Sequence, residues 1–392
     1  MDVGAQHDGD QPGLSHFLEH IVHRDSKGYH QKLRQQQRMS VVANAITDPE
    51  HTNYYISRIL PHYVPQCVEM VCAKVTSPLF TPKTIQNERE RILMEMAEHN
   101  HKNPYEKEEE AMRLKIWNGH PVARPTDGDE DTVRSITRDG LMKHFSDYYT
   151  PDNIVLSIAG HCDADAVLSS VDRQLGHIRK EGQRSATPLL SHHPSHGIFT
   201  TQPDDTALVT VVFNGLKTRD DQRAWAEYDA LTLQLQGDDA PLRKRLMQEV
   251  GIYSLNTYSQ SFRDAGLVEY GFLLPASRLA QGLDIFTDEL NRAKQPHIRH
   301  RKKAYLERSD IFDDLESDRS TSHAATNARL LLKSGELYSP EAIRAAEKHV
   351  TSKDVQAMAQ RIYTDNMSIF VRVSPENVGY VPDLSMVAPR FK

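Results

Sequence analysis

Along this chain the period of apolar and polar positions changes several times, and each change marks an element. Over 40–45, 53–59 and 154–158, β-branched and aromatic residues cluster between Asp, Asn and Pro turn formers, which predicts strands. Over 61–74, 82–99 and 104–117 the apolar residues instead recur three and four apart, as at Val64, Val68 and Val71, which predicts helices. Each of the three begins with Pro, where the missing N–H has no helical partner to lose. A longer pattern overlies these. Ile136-Thr137-Arg138-Asp139, Tyr149-Thr150-Pro151-Asp152-Asn153 and the apolar run 154–158 have a counterpart in Val350-Thr351-Ser352-Lys353, Tyr363-Thr364-Asp365-Asn366 and the run 368–373. Thr137 and Thr351 are 214 residues apart, as are Tyr149 and Tyr363. One repeat at domain length implies a duplicated α/β unit rather than a solenoid. A polar, turn-rich stretch over 181–197 lacks helical period and separates the copies. The expected organisation is therefore an N-terminal domain at 1–185, a linker at 186–200 and a homologous C-terminal domain at 201–392.

Composition removes several functions. With a net charge of -7 the chain lacks the basic footprint of a nucleic-acid binder, and the short run His300-Arg301-Lys302-Lys303 reads as a solvated helix face. The acidic run Glu106-Lys107-Glu108-Glu109-Glu110 reads the same way. No apolar stretch approaches the roughly 18 residues of a membrane span, so no membrane association is expected. The opening Met1-Asp2-Val3-Gly4-Ala5-Gln6 lacks the basic-then-apolar pattern of a secretory signal, and three cysteines cannot build a disulfide framework. A reducing, cytoplasmic setting is the expectation.

The chemistry concentrates in Gly13-Leu14-Ser15-His16-Phe17-Leu18-Glu19-His20. On a helix, residues four apart share a face, so His16 and His20 can offer two imidazole nitrogens to one ion. Glu19 lies beside that face, where a carboxylate can take a proton from a metal-activated water without being a ligand. Catalytic zinc normally has a third protein ligand, and Glu95 is the candidate. Glu88 and Glu95 are seven apart, two helical turns, so Glu88 can orient a histidine ligand on the same side. The plainer alternative is that these are ordinary surface histidines and glutamates. His192, His193 and His196 have no matched carboxylate or cysteine nearby and are expected to be exposed linker residues.

These residues resemble the pitrilysin, insulinase and mitochondrial-processing-peptidase family of zinc peptidases. The likeness extends to Asn44-Ala45-Ile46-Thr47, Thr52-Asn53-Tyr54, Gly119-His120-Pro121 and Tyr149-x-Pro151-x-Asn153. It implies an α+β fold of two homologous domains, each a largely antiparallel β-sheet packed against helices, facing each other across a chamber. It also implies a Zn²⁺ cofactor, cleavage of short or unfolded peptides, and a substrate strand added to the sheet edge at Asn44 and Ala45. The family's second-domain arginine and tyrosine, which hold substrate and the developing oxyanion, correspond to Tyr253 and, as nearest substitute, Arg245, because Leu246 stands at the expected arginine position. The stretch before the histidine motif is shorter than in the family, so an uncovered sheet edge and a dimer are expected, with a second copy or a related chain. The competing function is a non-catalytic or structural subunit of a peptidase-like hetero-oligomer.

Overall fold

A computed structural model describes residues 1–24, 29–102, 105–176, 189–201, 204–236, 240–296, 320–337 and 339–391. The chain forms two compact units: Met1–Leu114, Gly119–Pro188 and Asp313–Tyr338 make the first, and Lys115–Asn118, Leu189–Phe312 and Ser339–Lys392 the second. The basic run His300 to Lys303 lies outside the described residues.

In the first unit the order is α1 (Leu14–Arg24), α2 (Tyr29–Met39), β1 (Val42–Thr47), β2 (Thr52–Ser57), α3 (Val64–Thr76), α4 (Pro82–Lys102), α5 (Glu106–Ile116), α6 (Glu130–Ser135), α7 (Arg138–Tyr148) and α8 (Ala164–Leu175). β1 and β2 form an antiparallel hairpin in which Ala45 faces Tyr54 and Thr47 faces Thr52. The core joins Phe17, Leu18, Ile21 and Val22 of α1 to Ile92 of α4 and Leu141 of α7. Each of these side chains, once buried, contributes roughly 1.5–3 kcal/mol of transfer free energy. A further helix, Ser320–Ser334, belongs to this unit although it follows most of the second one in sequence. Its Lys333 is buried against Glu50 in the turn between β1 and β2. The helix Ser320–Ser334, expected within the C-terminal domain, is thus grouped with the first unit.

The second unit runs β3 (His196–Thr200), β4 (Thr206–Asn214), α9 (Gln222–Gln236), α10 (Pro241–Arg245), β5 (Ser254–Ser261), β6 (Gly266–Pro275) and α11 (Leu279–Ala293), then helices Pro340–His349 and Ser352–Ile362 and strand β7 (Met367–Val373). The five strands are ordered β3-β7-β4-β6-β5, antiparallel except for the β3–β7 pair. The mixed α+β, two-domain expectation is met. Residues 196–200, expected in the linker, are instead an edge strand.

The 214-residue repeat is visible as geometry. Thr137 caps α7 and Thr351 caps the helix Ser352–Ile362, each through its side-chain oxygen. The tyrosine ending each helix then shares a hydrogen bond with a strand tyrosine of its own unit, Tyr149 with Tyr54 at 2.7 Å and Tyr363 with Tyr270 at 2.6 Å. One part of the repeat is broken. Residues 154–158, expected as a strand, leave the preceding turn extended at Ile154 (φ -118, ψ 132) yet form no ladder. Their counterpart β7 sits between β3 and β4. A strand requires a partner as well as a propensity.

The linker histidines also differ from expectation. His193 and His196 are exposed, but His192 is 7% exposed, with its Nε2 2.8 Å from the hydroxyl of the fully buried Ser368. Burial, with a smaller push from His193, lowers the His192 pKa to about 4. A histidine depressed in the fold binds its proton more readily when unfolded, so its contribution is complete above pH ~6.5 and is lost as pH falls toward the folded value. Stability from urea unfolding should show this: His192→Gln should lose about 2 kcal/mol less stability than the parent between about pH 7 and pH 5. Parallel pH profiles for the two proteins would contradict that.

Candidate metal centre

Helix α1 is held at its start by a carboxylate from the preceding segment. Asp8 accepts the backbone N–H of Gly13 at 2.8 Å and of Ser15 at 2.9 Å, which satisfies donors that the first helical turn leaves free. Phe17, Leu18 and Ile21 then face the core, and the spacing leaves His16 and His20 together on another face, ring centroids 4.8 Å apart. Helix α4 crosses nearby, its Ile85, Ile92 and Met96 buried. Arg89 ties it to the end of α6 by donating to the carbonyls of Val133, Arg134 and Ile136, and its guanidinium lies 5.1 Å from the Phe17 ring centre on α1.

This crossing brings Glu88 and Glu95 to the imidazoles. Glu88, buried, meets His20 Nδ1 at 3.1 Å, and Glu95 Oε2 lies 3.4 Å from His20 Nε2. Arg24 and Arg91 also meet Glu88, at 3.3 and 3.2 Å. One donor atom from each of His16, His20 and Glu95 lies within 4.8 Å of the others. Ligands ~2.0–2.2 Å from a tetrahedral zinc stand about 3.4 Å apart, so small side-chain rotations close the set on one ion. Two further observations fit a metal. His16 Nδ1 is buried with no hydrogen-bond partner. Glu88, by accepting from Nδ1–H, leaves the Nε2 lone pair of neutral His20 available as a ligand.

The charges agree with this. Burial alone would lower the His20 pKa, but the hydrogen bonds that its ring donates to the Glu88 and Glu95 carboxylates outweigh it and raise it to about 9. Burial, and then the neighbouring His20, drive His16 the other way, to about 4. The bond to His20 lowers Glu95. Without a metal the site therefore holds one proton between carboxylates, and a dication can take that place.

Glu19 is 8% exposed and raised by burial, although the Thr47 hydroxyl, donating to its Oε2 at 2.8 Å, opposes the shift. His16, Glu19, His20 and Glu95 line a cavity of about 610 Å³, with Asn44, Ala45 and Thr47 of β1 on its wall. That volume suits a small ligand or a peptide segment. Among the described residues β1 pairs only with β2, so its outer edge carries free backbone groups. Asn44 is exposed, its amide 3.4 Å from the Tyr55 hydroxyl.

Arg245 and Tyr253 belong to the second unit. Arg245 is engaged by Glu249 at 2.8 Å and Glu289 at 2.9 Å, and Leu246, at the expected arginine position, is fully buried core. Tyr253 is 68% exposed, its N–H bonded to the Leu273 carbonyl. Sequence reasoning did not single out Asp8, nor a role for the Thr47 hydroxyl. Asp8 had a faint signal as an acidic residue shortly before a helix start, whereas the contact of Thr47 depends on where β1 ends.

Comparison with known proteins places this geometry in context. Residues 1–130 match the family described as Insulinase (Peptidase family M16), and residues 135–300 match the Peptidase M16 inactive domain. The chain is 23% identical over 384 residues to an uncharacterized zinc protease of Rickettsia bellii, covering 96% of this chain and 91% of that protein. It is 26% identical over 381 residues to a probable mitochondrial-processing peptidase subunit beta of Schizosaccharomyces pombe, covering 90% and 80%. Among solved structures, a protease from Helicobacter pylori aligns with a TM-score of 0.79 at 16% identity over 95% of this chain and 92% of that one. The first half of the periplasmic protease PqqL from Escherichia coli aligns with a TM-score of 0.79 at 15% identity over 100% and 89%. The two domain matches, in the order that the duplicated fold requires, make this chain a member of peptidase family M16.

Proposed function

We propose that the chain is a zinc metalloendopeptidase that hydrolyses bonds within short or unfolded peptides. The observation that carries this is the convergence of His16, His20 and Glu95, with Glu19 beside them, on a cavity bordered by the free edge of β1. His16, His20 and Glu95 would hold zinc, with Glu88 keeping His20 in its ligating tautomer. When bound, zinc supplies Lewis acidity, polarising the scissile carbonyl and acidifying a water.

The remaining work falls to the chain. An extended peptide pairs with the β1 edge near Asn44 and Ala45, exchanging backbone hydrogen bonds that are independent of side-chain identity. Glu19, whose carboxylate is made more basic by burial, accepts a proton from the attacking water and passes it to the leaving amine. Donation from Thr47 restrains the same carboxylate. A partner chain, either a second copy or a relative, would contribute the substrate donors that Arg245, committed to its own glutamates, does not.

Three results are expected. Glu19→Gln should retain zinc by elemental analysis while kcat on a quenched-fluorescent peptide library falls about 10²–10⁴-fold. Removing metal with a chelator should abolish cleavage, and added zinc should restore it; cleavage that ignores both treatments would remove the metal from the mechanism, and no cleavage under any of these conditions would favour a silent subunit. Glu88→Gln should weaken zinc binding by roughly 10–100-fold in competition titrations, since it disturbs the ligand's orientation and not its identity.

A further inference from the structure

The inference rests on the peptidase reading and assigns a second layer of residues to it. We propose that Thr47 is a positioning residue for the general base Glu19, and that the segment Gly4–Asp8 sets the spacing between them by bracing both the helix that carries Glu19 and the turn that follows Thr47.

Glutamate has three rotatable bonds, so a general base on a helix must be held if one carboxylate oxygen is to meet the water repeatedly. Among the described residues Thr47 is the side chain that donates a hydrogen bond to Glu19, at 2.8 Å to Oε2. That bond occupies one oxygen and leaves the other to take the proton. Thr47 is the last residue of β1, so its hydroxyl is only as well placed as the turn at 48–51. There the Ala5 N–H donates to the Asp48 carbonyl at 3.1 Å and the Gln6 N–H to the Pro49 carbonyl at 2.9 Å. The same segment reaches α1 on its other side. Asp8 caps the helix through Gly13 and Ser15, and the Ser15 hydroxyl donates to the Gly4 carbonyl at 3.1 Å. Five residues thus key the helix to the turn.

Gly4 is where this brace is tightest. Its backbone is extended (φ -152, ψ -168), a conformation any residue adopts, so the need for glycine is one of space. A Cβ there would lie 2.1 Å from the Asp48 carbonyl oxygen and 2.6 Å from the His51 nitrogen. Alanine must push the turn away from the segment, and Thr47 moves with it.

The test compares zinc-loaded parent, Thr47→Val, Thr47→Ser and Gly4→Ala on the quenched-fluorescent peptide library, with zinc content and thermal midpoint measured for each. Valine keeps the β-branch and removes the hydroxyl; serine keeps the hydroxyl. Thr47→Val should hold its zinc and lose about 10–100-fold in kcat with KM within about threefold, and Thr47→Ser should stay within about threefold of the parent. Gly4→Ala should hold zinc and also lose kcat. A Thr47→Val protein with parental kcat, an equal loss in valine and serine variants, or loss of zinc from either would overturn the role of Thr47. Parental kcat in Gly4→Ala would overturn the brace. A zinc-loaded parent that cleaves nothing in the library overturns the peptidase reading itself, whereas an active parent with an active valine variant overturns only this inference.

Discussion

Two imidazoles four residues apart on one helix face two carboxylates seven residues apart on another, and the rest of the first unit serves that crossing. Each group alone would be poorly placed. Buried histidine resists a charge and buried carboxylate resists it more strongly, and both are tolerated here because they meet. His20 is the pivot, with Glu88 at one nitrogen and Glu95 at the other. Burial, and then the neighbouring His20, push His16 down, while Glu88 and Glu95 hold His20 up against its own burial. A divalent ion satisfies the same acids and leaves both rings neutral. Packing supports the geometry, since Phe17, Leu18, Ile21 and Ile92 lock the helices at the separation the polar groups require.

Much of this was legible in the sequence because helical spacing is a local property. The four-residue separation of His16 and His20, and the seven-residue separation of Glu88 and Glu95, each dictate a shared face before any tertiary contact exists. The duplication was legible too, down to the caps at Thr137 and Thr351 and the tyrosines that follow. What escaped depends on contacts between distant segments. Residues 154–158 have strand composition but no ladder neighbour. His192 sits in a polar stretch that reads as solvated, yet its partner Ser368 comes from the far end of the chain. Lys333 gave no hint that its helix belongs with Glu50 in the other half. Gly4 shows its purpose only when Asp48 is placed against it.

The two units show what duplication permits. The second builds a five-stranded sheet over a core of Phe213, Tyr270, Phe272 and Phe286, and carries no metal-ligand cluster among its described residues. The first has a two-stranded hairpin and the whole candidate site. Both keep the tyrosine pair that closes helix onto strand. The shared frame is therefore independent of the chemistry, and the site is an elaboration of one copy. In that copy the edge of β1, free of strand partners among the described residues, lies beside the carboxylate and imidazoles.

The coordination of the metal tests this arrangement most directly. X-ray absorption at the zinc edge of the loaded protein should show two imidazole nitrogens and oxygen ligands at ~2.0–2.2 Å, with one imidazole lost in His20→Ala. A shell made only of oxygen, or one containing sulfur, would contradict the convergence of His16, His20 and Glu95 on a single ion.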